Sequence, residues 1–253
     1  MTLYYRPIAQ TDPHRAPGAL ALAGGWTWFD TVEVLSRAAP PRLVAASDLP
    51  DDARARLCAP RAAIAGVPLD APRLMGILNT TPDSFSDGGA HAAPDAALDH
   101  ARAMARDGAD IIDVGGESTR PGAAEIAADA ETRRTVPVIA AMRAEGMTGP
   151  VSIDTRKRAV AQRAVDAGAG LVNDVSGFTF DAGLAGYCAA AGVPVCVMHA
   201  QGDPQTMQLA PAYSDVVSEV KHFLDGRIRA CEAAGIARDR IIVDPGIGFG
   251  KAV

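Results

Sequence analysis

The chain has 253 residues and a formal net charge of −6, from 24 basic and 30 acidic side chains. At 48% apolar and 21% charged it can bury a sizeable core, which excludes wholesale disorder. It has no overall basic field of the kind nonspecific nucleic-acid binding needs, and 5% aromatic residues are too few for a base-stacking sheet. The four cysteines, Cys58, Cys188, Cys196 and Cys231, form no C-x-x-C pair, which argues against a zinc site and a secreted disulfide framework. No basic segment precedes an apolar run at the start, and no long uncharged apolar stretch occurs. The expectation is a cytoplasmic protein with no membrane and no nucleic-acid partner.

Residues 1–70 hold eight of the 18 prolines and both tryptophans, Trp26 and Trp28. Short apolar runs alternate there with turn signals, which predicts a small α+β appendage packed on the main body, of no evident chemistry. Residues 71–253 read as the main domain. Six short apolar runs, 74–78, 110–114, 150–154, 170–174, 194–199 and 240–244, are nearly unbroken in apolarity and rich in β-branched residues. That is the pattern of strands in a parallel sheet buried on both faces.

Amphipathic helical segments separate these runs. One is expected to open at Pro94 and stop at Gly108, and another to run from near Thr155 to Ala167 before Gly168. A third is expected to start at an N-cap Ser214 and stop at Gly235. Pro137 is expected to split the segment from Glu125 to Gly146 into two helices. Alternating strand and helix gives an α/β fold with a parallel sheet. Polar residues gather at the strand C-terminal ends: Asn79, Asp113, Asp154, Asn173, Asp174, His199 and Asp244. A (β/α)₈ barrel of the TIM type builds its site on that rim. No G-x-G-x-x-G follows the first strand, so a dinucleotide fold is disfavoured. Six βα units are present where a closed barrel has eight.

The loops after the first two strands, 79–89 and 115–122, are too polar and glycine-rich for simple connectors. They read as mobile loops that close over an anionic substrate, one carrying Phe85 and the other Arg120. Asp154, Asn173 and Asp244 end the third, fourth and sixth strands. Each alone could be a helix cap, but together they offer acceptors and an amide to a flat heterocycle with N–H donors. The segment 244–251, Asp-Pro-Gly-Ile-Gly-Phe-Gly-Lys, is not a Walker loop, because its glycine spacing is wrong and Ala252 follows Lys251. Its glycines suit close backbone approach to a planar ligand. Met198 and His199 stay open between core and site roles.

The segments 79–89 (NTTPDSFSDGG), 115–122 (GGESTRPG), 152–155 (SIDT), 173–177 (NDVSG), 197–199 (VMH) and 244–251 (DPGIGFGK) resemble the dihydropteroate synthases. The resemblance runs in order from about residue 74 to the end and leaves residues 1–70 uncovered. It implies a transferase of folate biosynthesis that joins 6-hydroxymethyl-7,8-dihydropterin pyrophosphate to p-aminobenzoate and releases pyrophosphate. It further implies Mg²⁺ held by Asn79, Thr119 on the diphosphate-bearing substrate, and Asp154, Asn173 and Asp244 on the pterin. Phe85 and Pro121 would shape the p-aminobenzoate pocket, with Met198 also in contact with substrate. Asp87 and Arg120 would serve the reaction, facing the developing pterin cation and an anionic group. A homodimer is implied for the full-length protein.

The family's Ser-Arg-Lys after strand seven and Arg-x-His near strand eight lie past the last residue given. A fragment of an active enzyme and a non-catalytic pterin- or partner-binding remnant are therefore alternatives, with strands one and six as open edges. A methyltetrahydrofolate-dependent methyltransferase shares the pterin barrel, and the 79–89 loop argues against it.

Overall fold

The computed structural model describes residues 3–36, 38–81, 89–118, 125–201 and 211–251, with only the backbone described for 89–94. The chain forms two compact units, Met1–Pro72 and Arg73–Val253.

In the first unit, β1 (Tyr4–Pro7), β4 (Thr31–Leu35) and β5 (Arg42–Ala45) make an antiparallel sheet in the order β1-β4-β5. A short ribbon pairs β2 (Leu20–Ala21) with β3 (Trp28–Phe29), and helix α1 spans Asp51–Cys58. Along β4, Val32 and Val34 are buried while Thr31, Glu33 and Leu35 are half-buried, the period-two alternation of a sheet with one dry face. Phe29, Val32, Ala46 and Leu49 form the core of this unit.

The second unit is a six-stranded parallel sheet of β6 (Met75–Asn79), β7 (Ile111–Gly115), β8 (Val151–Asp154), β9 (Leu171–Asp174), β10 (Val195–Met198) and β11 (Ile241–Asp244). Each strand pairs with its sequence neighbour, in the order β11-β10-β9-β8-β7-β6. Consecutive order without a switch point, joined by right-handed crossovers, sets the helices on one face of the sheet. This is the winding of a (β/α)₈ barrel, here with six units. Leu78, Ile112, Val114, Ile153, Val172, Val195 and Val197 join residues of the helices in one buried core. Among the described residues β6 and β11 each pair with one strand, and Ile77, in the middle of β6, is 65% exposed.

The helices are α2 (Gly89–Arg106), α3 (Ala128–Ala144), α4 (Arg158–Asp166), α5 (Leu184–Ala191) and α6 (Val216–Ala233). Helices α2, α4 and α6 end two residues before Gly108, Gly168 and Gly235, as the sequence predicts. Their starts differ from expectation. Helix α2 begins at Gly89, ahead of Pro94, whose fixed φ is itself helical. Pro137 does not split α3, which runs through it as one helix. An interior proline costs about 3 kcal/mol, and burial of Val138, Ile139 and Met142 against the sheet offsets that. Helix α4 starts at Arg158 rather than near Thr155, because the Asp181 carboxylate accepts from the Arg158 N–H at 2.8 Å. The N-cap of α6 is Asp215, which accepts from the Ser218 N–H at 3.1 Å, and Ser214 instead donates to Glu219.

Candidate functional site at the strand C-terminal ends

Strand register brings the sequence-predicted polar residues together. Asn79 lies opposite Gly115, Gly115 opposite Asp154, Asp154 opposite Asn173, and Asn173 opposite Cys196. Paired residues share a sheet face, so these form one row across five strands. Their chain neighbours Leu78, Val114, Ile153, Val172 and Val197 pack into the helix-side core, which puts the row on the opposite, inner face. Met198 and Asp244 are paired two residues beyond Cys196 and Ile242, toward the strand ends.

Gly115 gives the row its closeness. A side chain there would come within 3.4 Å of Asp154 Oδ2 and 3.6 Å of Asn79 Oδ1, so the missing Cβ lets carboxylate and amide flank one gap. The Thr80 N–H and hydroxyl both donate to the Gly115 carbonyl, at 2.8 and 3.0 Å, fixing the strand end that carries Asn79. Among the described residues no donor reaches Asp154. Burial pushes its carboxyl well up from the ordinary range, and the nearby charges of Asp113, Asp174, Glu131 and Glu117 add to that. Asn173 donates from Nδ2 to Asp113 Oδ2 at 2.9 Å. Asp244 accepts the Gly246 N–H at 2.7 Å through Oδ1, which leaves Oδ2 without a partner among the described residues.

Asp113 and Asp174 fall elsewhere than the sequence suggested, and His199, left open there, takes a structural place. Asp113 is not at a strand end but in the middle of β7, opposite Ser152 and below the row. Asp174 points to the helix side, where it accepts the Ser176 and Phe178 N–H groups at 2.7 and 2.9 Å and fixes the turn after β9. His199 is buried and holds the last loop. Its N–H donates to the Asp244 carbonyl at 3.0 Å, Nδ1 lies 3.0 Å from Lys251 Nζ, and Phe223 meets its ring edge-on at 4.9 Å. Lys251 also donates to the carbonyls of Gly246 and Phe249, at 2.8 and 2.9 Å. The cation therefore ties the glycine-rich segment to the end of β10. Gly246 has φ +64°, and a Cβ there would run into the His199 carbonyl. Phe85, Asp87, Thr119, Arg120 and Pro121 lie outside the described residues.

Sequence reading missed a buried ionic cluster beside the row. Lys157 Nζ donates to Glu117 Oε2 and Glu131 Oε2, both at 2.7 Å, and Arg156 donates to Glu117 Oε1 at 3.0 Å. The Arg156 guanidinium stacks on Phe180, 4.2 Å from the ring centre. Burial disfavours the Lys157 cation, but the two carboxylates outweigh it and hold the ammonium above its ordinary range. The cluster joins the turns after β7 and β8 to α3. Its members are 26 and 40 residues apart, so no spacing signal could have found it.

No group of three or more His, Cys, Asp or Glu among the described residues could hold a metal ion. Asn79 offers a single amide oxygen. No helix among the described residues is long and apolar enough to cross a membrane.

The chain is similar to several known proteins. The chain is 48% identical over 183 residues to the dihydropteroate synthase of Escherichia coli K12, covering 72% of this chain and 64% of that relative. It thus spans just under two thirds of that relative's length. A structure of the Xanthomonas albilineans dihydropteroate synthase with 4-aminobenzoic acid superposes with a TM-score of 0.69 at 49% identity, covering 74% of this chain and 67% of that one. The Burkholderia cenocepacia dihydropteroate synthase complexed with 7,8-dihydropteroate superposes with a TM-score of 0.64 at 45% identity, covering 74% and 62%. The family described as pterin binding enzyme matches residues 75–253, the span of the whole parallel sheet, and the chain belongs to that family.

Proposed function

We propose that this chain carries the dihydropteroate synthase reaction, joining 6-hydroxymethyl-7,8-dihydropterin pyrophosphate to p-aminobenzoate with loss of pyrophosphate. The observation that carries the reading is the inner-face row of Asn79, Asp154 and Asn173 with Asp244 above it, in a family whose solved members include complexes with 4-aminobenzoic acid and 7,8-dihydropteroate. A pterin edge presents parallel N–H donors, and the free oxygens of Asp154, Asn173 and Asp244 are the acceptors it needs.

In the reaction the amine nitrogen of p-aminobenzoate attacks the exocyclic methylene carbon. The carbon–oxygen bond to pyrophosphate breaks with its electron pair on oxygen, and the amine releases a proton. An aromatic amine is a weak nucleophile, so the protein must hold the ring and ease departure of the leaving group. Asp154, Asn173 and Asp244 orient the ring, and Gly246 lets the backbone approach its face. Thr119 and Arg120 would face the anionic leaving group, Asp87 the positive charge developing on the pterin, and Phe85 and Pro121 the p-aminobenzoate ring. Met198, buried beside Asp244, would pack on the pterin.

Asn79 fits Mg²⁺ as one oxygen ligand, since this ion commonly takes its remaining ligands from water and substrate phosphates. Bound there it would neutralise charge on the departing pyrophosphate. A cytoplasmic location and a homodimer belong to the same proposal. The test is pyrophosphate release with both substrates and Mg²⁺. Release that depends on p-aminobenzoate supports the synthase reading, and pterin binding without release favours a binding-only protein.

A further inference from the structure

We infer that Asp113 is a positioning residue, which locks the Asn173 side-chain amide so that its carbonyl oxygen, not its NH₂ group, faces the mouth of the barrel. The inference rests on the proposed pterin site and adds to it a residue that need not touch the ligand.

An asparagine amide presents an acceptor and a donor of almost equal size, and only its hydrogen bonds decide which way it points. Here the choice is made from below. Asp113 stands two residues before Gly115 on the same inner face of β7, one step deeper than the row. Its Oδ2 accepts from Asn173 Nδ2 at 2.9 Å. A carboxylate has only acceptors to offer, so the NH₂ turns down and Oδ1 turns up. Asn173 Oδ1 has no partner among the described residues, and the residue is half-buried, so that oxygen remains available to a ligand N–H.

The layer around Asp113 is costly to keep. Asp113 is 4% exposed, and among the described residues its Oδ1 and the hydroxyl of Ser152, the residue opposite it, are both buried without a hydrogen bond of good geometry. Burial also raises the Asp113 carboxyl above its ordinary range, although the neighbouring Ser152 hydroxyl and Asn173 amide work the other way. An apolar residue would suit this depth better, as Leu171 does in the next strand over, opposite Ser152. A buried carboxylate that forgoes part of its bonding is accounted for by what it does to Asn173.

The test has two arms. In the first, the Asn173 side-chain NH₂ resonances, assigned by their loss in Asn173→Ala, are followed by NMR in the chain without ligand. They should be shifted and protected from exchange in the parent and in Asp113→Asn, whose own carbonyl can still accept. They should lose protection in Asp113→Leu. Equal protection in all three would overturn the inference, whether or not the chain binds pterin.

The second arm is a double-mutant cycle read by calorimetry with 6-hydroxymethyl-7,8-dihydropterin. Asp113→Leu should weaken binding roughly tenfold, the value of one well-placed hydrogen bond. Asp113→Asn should retain most of the affinity. In an Asn173→Ala background Asp113→Leu should cost nothing further. A loss that simply multiplies with that of Asn173→Ala would mean that Asp113 acts through general packing, and would refute the positioning role. Absence of pterin binding in the parent would instead refute the function proposed above, leaving the first arm to decide the role of Asp113.

Discussion

Replacing Lys157 by methionine should be among the most damaging single changes near the site, although Lys157 is not part of the inner-face row. Methionine keeps the length of the stem and removes the charge. Lys157 is the hinge of the ionic cluster, with a 2.7 Å bond to each of Glu117 and Glu131. Glu117 would keep Arg156 at 3.0 Å. Glu131 would keep no partner among the described residues, because it is fully buried and its Oε1 already lacks one there. Two charge-assisted bonds at roughly 1.5–3 kcal/mol each, and the cost of orphaning one member of a buried pair, agree on a loss of about 3–5 kcal/mol at neutral pH. Urea unfolding followed by far-UV circular dichroism measures this. Tryptophan fluorescence is the wrong probe, since Trp26 and Trp28 both belong to the first unit. Adding Glu131→Gln removes the orphaned charge and should return most of the lost stability. A loss below about 1 kcal/mol in Lys157→Met, or no recovery in the double variant, would refute the reasoning.

Asp154→Asn should raise stability at pH 7 while weakening pterin binding ten- to a hundredfold, equivalent to about 1.5–3 kcal/mol. The folded-state value of Asp154 is raised by burial, so its contribution to the parent's stability is greatest below the ordinary carboxylate range and is lost as pH rises through the raised value. The gap between the two proteins in thermal midpoint should therefore close as the pH is lowered. His199 is shifted the other way, by burial and by Lys251, so its contribution is present above about pH 6.5, the ordinary imidazole value, and lost as pH falls below it. Amide exchange at Phe249, whose N–H bonds to the Gly246 carbonyl at 3.0 Å, should quicken below that pH and do so at every pH in Lys251→Met. Gly246→Ala should lower the thermal midpoint and abolish pterin binding, because φ is positive and the His199 carbonyl occupies the space.

The strands were legible because a buried parallel strand is a short apolar run and little else. All six were placed within a residue or two of their observed bounds. Helix starts were not, because non-local partners set them. The cap of α4 comes from Asp181, 23 residues away in sequence, and Pro137 is tolerated because the sheet-facing side of α3 is buried. The inner row was legible as chemistry before it was legible as geometry. Asn173 and Asp174 both read as polar residues of the strand end, yet side-chain alternation sends one to the mouth and the other to the helix side. Asp113 read as a rim residue and lies a layer down. Glu131 drew no reading at all, since nothing local announces that Lys157 and Glu117 will close over it.

The proposed function requires the inner row to read a pterin. Calorimetric titration of the chain with 6-hydroxymethyl-7,8-dihydropterin, alongside Asn173→Ala and Asp244→Asn, tests it most directly. Saturable one-to-one binding by the parent and at least tenfold weaker binding by each variant are expected. No binding by the parent, or equal affinity in all three proteins, would contradict it.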